Sequence, residues 1–146
     1  MSTPFIALVG CGYWGKNLAR NFNAIGALHT LCDASAQTLA SYGDEYSGVK
    51  KVGAYADVLA DASITAVAIA APAALHHRLA KAALLAGKDV YVEKPLCLDL
   101  NEAEEFFRNL ARESPHEYER IRNLRDGIRS AKGDAAKGLF VFCQAG

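Results

Sequence analysis

A glycine-rich segment close to the amino terminus narrows the folds open to this chain. It reads Gly-Cys-Gly-Tyr-Trp-Gly over residues 10–15 and directly follows an apolar run of strand length, 5–9. A stretch with apolar residues at helical spacing, 17–25, comes next. One glycine in such a loop permits a tight turn, and another lets the helix pack close to the strand. The order of strand, glycine loop and helix is typical of the first unit of a parallel α/β sheet.

The same alternation of strand and helix continues through most of the chain. The predicted strands are 5–9, 27–32, 51–54, 66–70 and 89–92, and the predicted helices are 17–25, 35–46, 58–60, 75–85 and 101–112. Ser35, Asp57 and Asn101 are the expected N-caps, the last in a capping box with Glu104, and Gly87 is the expected end of helix 75–85. Strands separated by helices of this length predict an α/β fold, a doubly wound Rossmann-type parallel sheet.

The regular pattern covers residues 1–112, which we take as one domain. Residues 113–146 are less regular and predict a divergent helix, followed by an apolar run, 139–143, that could complete the sheet as a sixth strand. One side of that helix carries an apolar stripe of Tyr118, Ile121 and Ile128. Together with an exposed sheet edge, the stripe suggests a homo-oligomer.

The glycine loop also has the features of a dinucleotide site. Gly12 would let a diphosphate approach the backbone, and the free amides at the start of the next helix would face it. Asp33 ends the second predicted strand, where a carboxylate can accept hydrogen bonds from both hydroxyls of an adenosine ribose. It would repel a 2′-phosphate, and no basic residue follows in 34–36, so NAD is favoured over NADP. The alternatives are an N-cap or loop role for Asp33, an ordinary turn at the glycines, and a methyltransferase.

Composition and charge argue against several other classes of protein. The 16 basic residues balance 16 acidic ones, whereas nucleic-acid and membrane-surface binders usually carry a basic excess. No apolar run approaches the roughly 20 residues that cross a bilayer, and the amino terminus lacks the cationic start of a secretory signal. The 4 cysteines are widely spaced, without metal-ligand spacing. They indicate reduced thiols in a cytoplasmic protein and no metal site.

A second motif, taken with the glycine loop, carries a family resemblance. It comprises Ala-Pro-Ala-Ala-Leu-His at 71–76, Gly-Lys at 87–88 and Val-Glu-Lys-Pro at 92–95. With Gly-Cys-Gly-Tyr-Trp-Gly-Lys-Asn at 10–17, it resembles the glucose–fructose oxidoreductase / inositol dehydrogenase (Gfo/Idh/MocA) family over about residues 5–107. The resemblance implies an NAD(P)-dependent dehydrogenase that acts on a secondary alcohol of a sugar, nucleotide sugar or cyclitol.

The resemblance also implies roles for the Glu-Lys-Pro segment. Lys94 would be the catalytic lysine, which orients the substrate hydroxyl and assists proton transfer. Glu93 would contact the nicotinamide ribose, and Pro95 would shape the loop, with a cis bond as one way to do so. The alternatives are a solvated lysine at the end of a strand for Lys94 and a surface acid for Glu93.

The loop after the fourth predicted strand would border the ribose and nicotinamide through Ala71, Pro72 and His76, although the family often has threonine at the first of these positions. A histidine satisfied by backbone groups is the alternative for His76. Tyr13 and Trp14 would flank the diphosphate or, alternatively, pack against the fold. The complete set of expected cofactor contacts is Gly10, Gly12, Tyr13, Trp14, Gly15, Asp33, Ala71, Pro72, His76, Glu93, Lys94 and Pro95.

The sequence departs from the family where a second domain would supply further catalytic groups. Those groups are typically an aspartate and a histidine one helical turn apart, and no Asp-x-x-x-His follows Lys94. The sequence thus predicts the cofactor half without the substrate domain, either as a truncated or frame-altered product or as a short protein completed by a partner. Two functions stay open, an oxidoreductase domain and a non-catalytic dinucleotide-binding module or truncated remnant.

Overall fold

The fold is described from a computed structural model, over residues 3–116, 118, 119 and 122. Strands and helices alternate along these residues, as the sequence predicts. The strands are β1 (Ile6–Val9), β2 (Leu28–Cys32), β3 (Lys50–Val52), β4 (Ala66–Ile69) and β5 (Asp89–Val92). The helices are α1 (Tyr13–Ala24), α2 (Ala36–Ala40), α3 (Tyr55–Ala60), α4 (His76–Leu85) and α5 (Leu100–Glu113), with short 3₁₀ turns at Asp44–Tyr46 and Ala73–Leu75.

In the described part of the chain, the strands form one parallel sheet in the order β3-β2-β1-β4-β5. The order runs outward from β1 in both directions, and Ala7 of β1 pairs with Thr30 of β2 on one side and Val67 of β4 on the other. The loops after β1 and β4 therefore lead to opposite faces of the sheet and leave a crevice between them at the carboxyl ends of the strands. The predicted Rossmann-type α/β fold is confirmed.

Helices cover both faces of the sheet, which explains the unbroken apolar runs of its central strands. Leu8 packs with α1 and α2, whereas its neighbours Ala7 and Val9 pack with α3, α4 and α5. All three side chains are at most 6% exposed. A strand buried on both faces needs apolar residues at consecutive positions rather than at alternate ones.

Two helices begin several residues ahead of their predicted starts. α1 begins at Tyr13 directly after the glycine loop, with Gly12 as its N-cap. α3 begins at Tyr55, so the predicted cap at Asp57 is wrong, and Ala54 takes the N-cap position without a side-chain hydrogen bond. Asp57 lies instead in the first turn, where its negative charge interacts favourably with the positive end of the helix dipole.

The second helix is shorter than the predicted 35–46. Its N-cap is confirmed, since the Ser35 hydroxyl accepts a hydrogen bond from the Thr38 amide at 3.1 Å. The helix ends at Ala40, and the chain then turns so that the rings of Tyr42 and Tyr46 bury edge to face, with centroids 5.0 Å apart. Tertiary packing of these two rings overrides the helical pattern of the sequence.

The N-terminal cap of α5 lies two residues before the predicted capping box. Asp99 is the N-cap and accepts a hydrogen bond from the Glu102 amide at 2.9 Å. The Glu102 carboxylate in turn accepts from the Leu98 amide at 2.9 Å. The predicted pair of Asn101 and Glu104 has the same spacing, but both residues lie inside the helix, because the extended backbone ends at Asp99.

Several predictions concern the second half of the chain. Gly87 has a φ of +74° directly after α4, which confirms the predicted end of that helix. Tyr118 is half-buried and packs against the core formed with α3, α4 and α5. The predicted strand 139–143 and the stripe residues Ile121 and Ile128 lie outside the described residues, and the division at residue 112 stays a prediction. None of the helices described is long and apolar enough to cross a membrane.

Candidate cofactor-binding site

A crevice of about 330 Å³ opens at the carboxyl ends of the strands, where the loops after β1, β2, β3 and β4 meet. Such a crevice at the switch point of a parallel sheet is the usual ligand site of this fold. Its lining combines one carboxylate with mostly apolar and backbone surface. The lining residues are Val9, Gly10, Cys32, Asp33, Ala34, Gly53, Tyr55, Ala71, Pro72, Leu75 and Leu79.

Gly10 and Gly12, the first two glycines of the glycine loop (residues 10–15), have different surroundings. Gly10 has a φ of +89°, and a Cβ atom there would lie 2.5 Å from the carbonyl carbon of Ala70 and overlap the Ala71 amide. Glycine at position 10 therefore lets the loops after β1 and β4 touch. Gly12 has an ordinary φ of −76°, and no described atom lies within 4 Å of the place of its Cβ. The open space beside Gly12 is what a bound diphosphate would need.

The start of α1 completes the cradle. A Cβ atom at Gly15 would overlap the Gly10 carbonyl oxygen, so glycine lets the first turn of the helix lie against the loop. Gly12, the N-cap, has no side chain that could accept a hydrogen bond from the first-turn amides. These amides and the helix dipole make this end a favourable place for an anion. Tyr13 and Trp14 are 91% and 52% exposed, so they do not pack into the core.

Asp33 is held against the glycine loop by backbone amides. One carboxylate oxygen accepts from the Cys11 amide at 2.8 Å, and the other accepts from the Ser35 amide at 2.8 Å. The bond from Ser35 is a local contact, typical of an acidic residue in a loop. The bond from Cys11 ties Asp33 to the glycine loop, 22 residues earlier in the chain. The N-cap alternative is wrong, because Ser35 is the N-cap of α2. Each oxygen keeps a second lone-pair site for a ribose hydroxyl.

Buried groups beneath the loop support it from the inside. Cys11 is fully buried, with its sulfur 3.4 Å from the Cys32 carbonyl oxygen. Burial, reinforced by the nearby Asp33 charge, raises the pKa of Cys11 to about 12, and the same causes raise that of Cys32 to about 11. The Tyr42 hydroxyl donates to the Cys11 carbonyl at 2.9 Å. The sequence analysis missed Tyr42, because a helical pattern carries no sign of a contact 31 residues away.

His76 joins two further loops, the β4 loop (residues 70–72) and the β5 loop (residues 93–95). Its Nδ1 lies 2.7 Å from the Pro95 carbonyl oxygen, and its Nε2 lies 2.6 Å from the Ala71 carbonyl oxygen. The ring is 3% exposed at the first residue of α4. Both ring nitrogens thus contact backbone carbonyls, as in the alternative interpretation of His76 as a histidine satisfied by backbone groups. The bond between Lys94 and Pro95 is cis.

The remaining residues of the Glu-Lys-Pro segment differ in their surroundings. Glu93 is half-buried, and one of its oxygens accepts from the Tyr91 hydroxyl at 2.8 Å. Burial and the Glu93 carboxylate raise the pKa of Tyr91 to about 12, so this hydroxyl stays a donor at neutral pH. Lys94 is exposed and does not line the crevice. The neighbouring His77 is half-buried and lies 3.9 Å from the Glu102 carboxylate.

The structure therefore brings part of the predicted set directly together. Gly10, Asp33, Ala71 and Pro72 line one crevice, and the glycine loop borders it. The β5 loop is connected to this group through His76 rather than through the crevice wall. The cradle at the glycines and the free lone pairs of Asp33 fit the diphosphate and ribose of a dinucleotide. Within the described ranges, no cluster of three potential metal ligands occurs.

Known proteins share both the sequence pattern and the fold. Residues 5–116 match the profile of GFO_IDH_MocA, an oxidoreductase family with an NAD-binding Rossmann fold. A glycosyl hydrolase family 109 protein of Shewanella amazonensis is 37% identical over 113 residues, which cover 70% of this chain and 25% of that protein. An uncharacterized oxidoreductase of Bacillus subtilis, YrbE, is 30% identical over 100 residues, 67% of this chain and 29% of that protein.

A solved dehydrogenase structure is similar to this chain in fold as well as in sequence. The scyllo-inositol dehydrogenase from Lactobacillus casei, crystallised with NAD(H) and scyllo-inositol, is similar with a TM-score of 0.66 and 28% identity. The similarity covers 89% of this chain and 40% of that one. The chain thus spans 25–29% of the length of these two curated relatives and less than half of the solved dehydrogenase.

Proposed function

The chain belongs to the Gfo/Idh/MocA oxidoreductase family, with its NAD-binding Rossmann fold, and from this premise we propose that it is the cofactor-binding part of a dehydrogenase. The reaction is removal of hydride from a secondary alcohol of a sugar, nucleotide sugar or cyclitol. One observation carries the proposal. The Asp33 carboxylate bonds to the Cys11 amide at 2.8 Å and thereby sits at the mouth of the glycine loop, with lone pairs left for a ribose.

The adenosine side of the site supports NAD rather than NADP. The crevice beside Asp33 is lined by Ala34 and Gly53, neither of which carries a charge that would welcome a 2′-phosphate. The negative charge of Asp33 would repel such a phosphate at hydrogen-bonding distance. Leu75 and Leu79 add apolar surface to the lining of the crevice, which suits the flat face of an adenine.

The nicotinamide side is proposed from the family resemblance, with Lys94 as the catalytic residue. NAD, when bound, supplies the hydride acceptor, and the protein has to orient the alcohol and manage its proton. The Lys94 amine can hydrogen-bond a substrate hydroxyl and take up its proton. Glu93, held by the Tyr91 hydroxyl at 2.8 Å, presents an oriented carboxylate to the nicotinamide ribose.

A second candidate function is a dinucleotide-binding module without turnover. The observation that favours it is the exposure of Lys94, which lies outside the crevice wall and therefore faces water. Catalysis needs a water-excluded setting for hydride transfer. The relative named as a glycosyl hydrolase adds glycosides to the substrates worth testing.

Calorimetry and turnover assays separate these functions. We expect the chain to bind NAD and NADH more tightly than NADP, and absence of binding to all three would refute both functions. A panel of polyols, nucleotide sugars and glycosides is then screened for NADH formation. In the enzyme, Lys94→Ala removes turnover but keeps NADH affinity, whereas the control Lys81→Ala, at a surface pair with Glu113, changes neither. Cofactor binding without turnover on any substrate would favour the module.

The cellular setting is proposed from the state of the cysteines. Cys11, Cys32 and Cys97 are free thiols, which is typical of a reducing compartment such as the cytoplasm.

Self-association of the chain through an exposed edge of the sheet is a separate proposal. Gel filtration across a range of concentrations tests it, and an invariant monomer would count against it.

A further inference from the structure

The β4 and β5 loops separate from each other at the end of the sheet. Their strands pair up to Ile69 and Val92, and the last backbone bond between them runs from the Glu93 amide to the Ile69 carbonyl at 3.0 Å. Past that bond, the hydrogen bonds described between the two loops all pass through the ring of His76, which reaches Ala71 and Pro95. The ring is the polar link between two loops that the backbone no longer holds together.

The chemistry of the link requires an imidazole. Both partners are carbonyl oxygens, which accept hydrogen bonds and cannot donate them. The two ring nitrogens lie on different edges of the imidazole and reach one carbonyl each, at 2.6 Å and 2.7 Å. An amide side chain has its hydrogens on a single nitrogen and cannot place a nitrogen against both carbonyls. Burial of the ring excludes water that could replace a missing donor.

We propose that His76 is a positioning residue, whose ring ties the β4 loop to the β5 loop and so holds the nicotinamide side of the site in one arrangement. The inference rests on the proposed function, since it assigns Glu93 and Lys94 of the β5 loop to that side. His76 itself touches no cofactor atom in this scheme, because both of its ring nitrogens are occupied by backbone carbonyls.

The adenosine side does not depend on the same link. The β4 loop is also held by the Ala70 amide, which donates to the Val9 carbonyl at 2.8 Å, and by the close approach of Gly10 to Ala71. Asp33 is fixed by two amides that are far from His76 in the sequence. Loss of the ring should therefore loosen the β5 loop and leave the diphosphate cradle and Asp33 in place.

The test compares two ligands that differ by the nicotinamide half. ADP carries only the adenosine and the diphosphate, whereas NADH adds the second ribose, which the proposed function places beside Glu93, and the nicotinamide ring. We expect His76→Leu to weaken NADH binding about tenfold, as for loss of a buried hydrogen-bonded link, and ADP binding by less than about twofold. His76→Gln keeps one donor and should fall between His76→Leu and the wild type. The matched control is His77→Leu, at the adjacent half-buried ring, and it should leave both affinities unchanged.

The comparison of the two ligands separates positioning from a general structural role, which would weaken the binding of both. If His76→Leu does not fold, as seen by circular dichroism, the affinities of His76→Gln decide. Equal weakening of both ligands, or no change in NADH affinity, would overturn the inference. Failure of the wild type to bind either ligand would instead refute the proposed function.

Discussion

Substituting alanine at two positions of the glycine loop should have opposite effects, because one glycine serves the fold and the other serves the ligand. At Gly10 the methyl group would overlap the backbone of Ala70 and Ala71, and φ is +89°. At Gly12 the methyl group would point into space that no described atom approaches within 4 Å, and φ is −76°. The same chemical change is thus strained at one position and unstrained at the other.

The expected magnitudes follow from these surroundings. Gly10→Ala combines a left-handed backbone, which costs about 1–2 kcal/mol for a residue with a Cβ, with overpacking that costs about 1–3 kcal/mol. Gly12→Ala should raise the free energy of unfolding by about 0.4–1 kcal/mol, since alanine restricts the unfolded chain. A bound diphosphate would meet the new methyl group, and at an overpacking cost of about 1–3 kcal/mol the affinity for NADH falls about five- to 150-fold.

Urea denaturation and calorimetry with NADH measure the two quantities on the same samples. The expected result is a lower free energy of unfolding for Gly10→Ala, and for Gly12→Ala an unchanged or higher one with weakened binding. Wild-type affinity in Gly12→Ala would refute the assignment of this loop to the diphosphate. Wild-type stability in Gly10→Ala would refute the close contact between the loops after β1 and β4.

Three further outcomes test other parts of the molecule. Asp33→Ser should weaken NAD binding about tenfold or more and reduce the preference for NAD over NADP, and an unchanged ratio by calorimetry would contradict the ribose role. Asp99→Ala should lower the free energy of unfolding, measured by urea denaturation, by about 0.5–2 kcal/mol, and Asn101→Ala should lower it by less than about 0.5 kcal/mol. The reverse order would show that Asn101, and not Asp99, caps α5. Burial raises the pKa of Cys11 to about 12 and of Cys32 to about 11, so mass spectrometry should find both unlabelled by iodoacetamide at pH 8 until the chain is unfolded. Rapid labelling of either thiol in the native protein would contradict their burial.

Local patterns predicted the strands well and the ends of the helices less well. Apolar runs place β1 and β4 almost residue by residue, because a strand buried on both faces needs apolar residues at consecutive positions. The cap of α5 was wrong, since Asp99 and Asn101 offer the same spacing to a following glutamate. The extended backbone of Asp99, from which the helix starts, selects between them.

Short-range chemistry also predicted the nature of the candidate site. The three loop glycines and Asp33 indicate a dinucleotide site by themselves, because a glycine loop followed by an acidic residue at the end of the next strand is typical of such a site. Tyr42, which donates to the Cys11 carbonyl, had no such signal. Its contact spans 31 residues, and nothing in a helical pattern shows where a side chain ends up.

The order of residues along the chain was enough to determine a parallel α/β sheet, a glycine loop at a helix start and an acid beside it. These features depend on periodicity and on the few residues that can adopt a given backbone shape, which are properties of neighbours in sequence. The tertiary structure alone decided that His76 bonds to the carbonyls of Ala71 and Pro95 and that Gly10 lies against Ala71. Those contacts join segments that meet only after the strands have paired, so their partners cannot be read from local sequence.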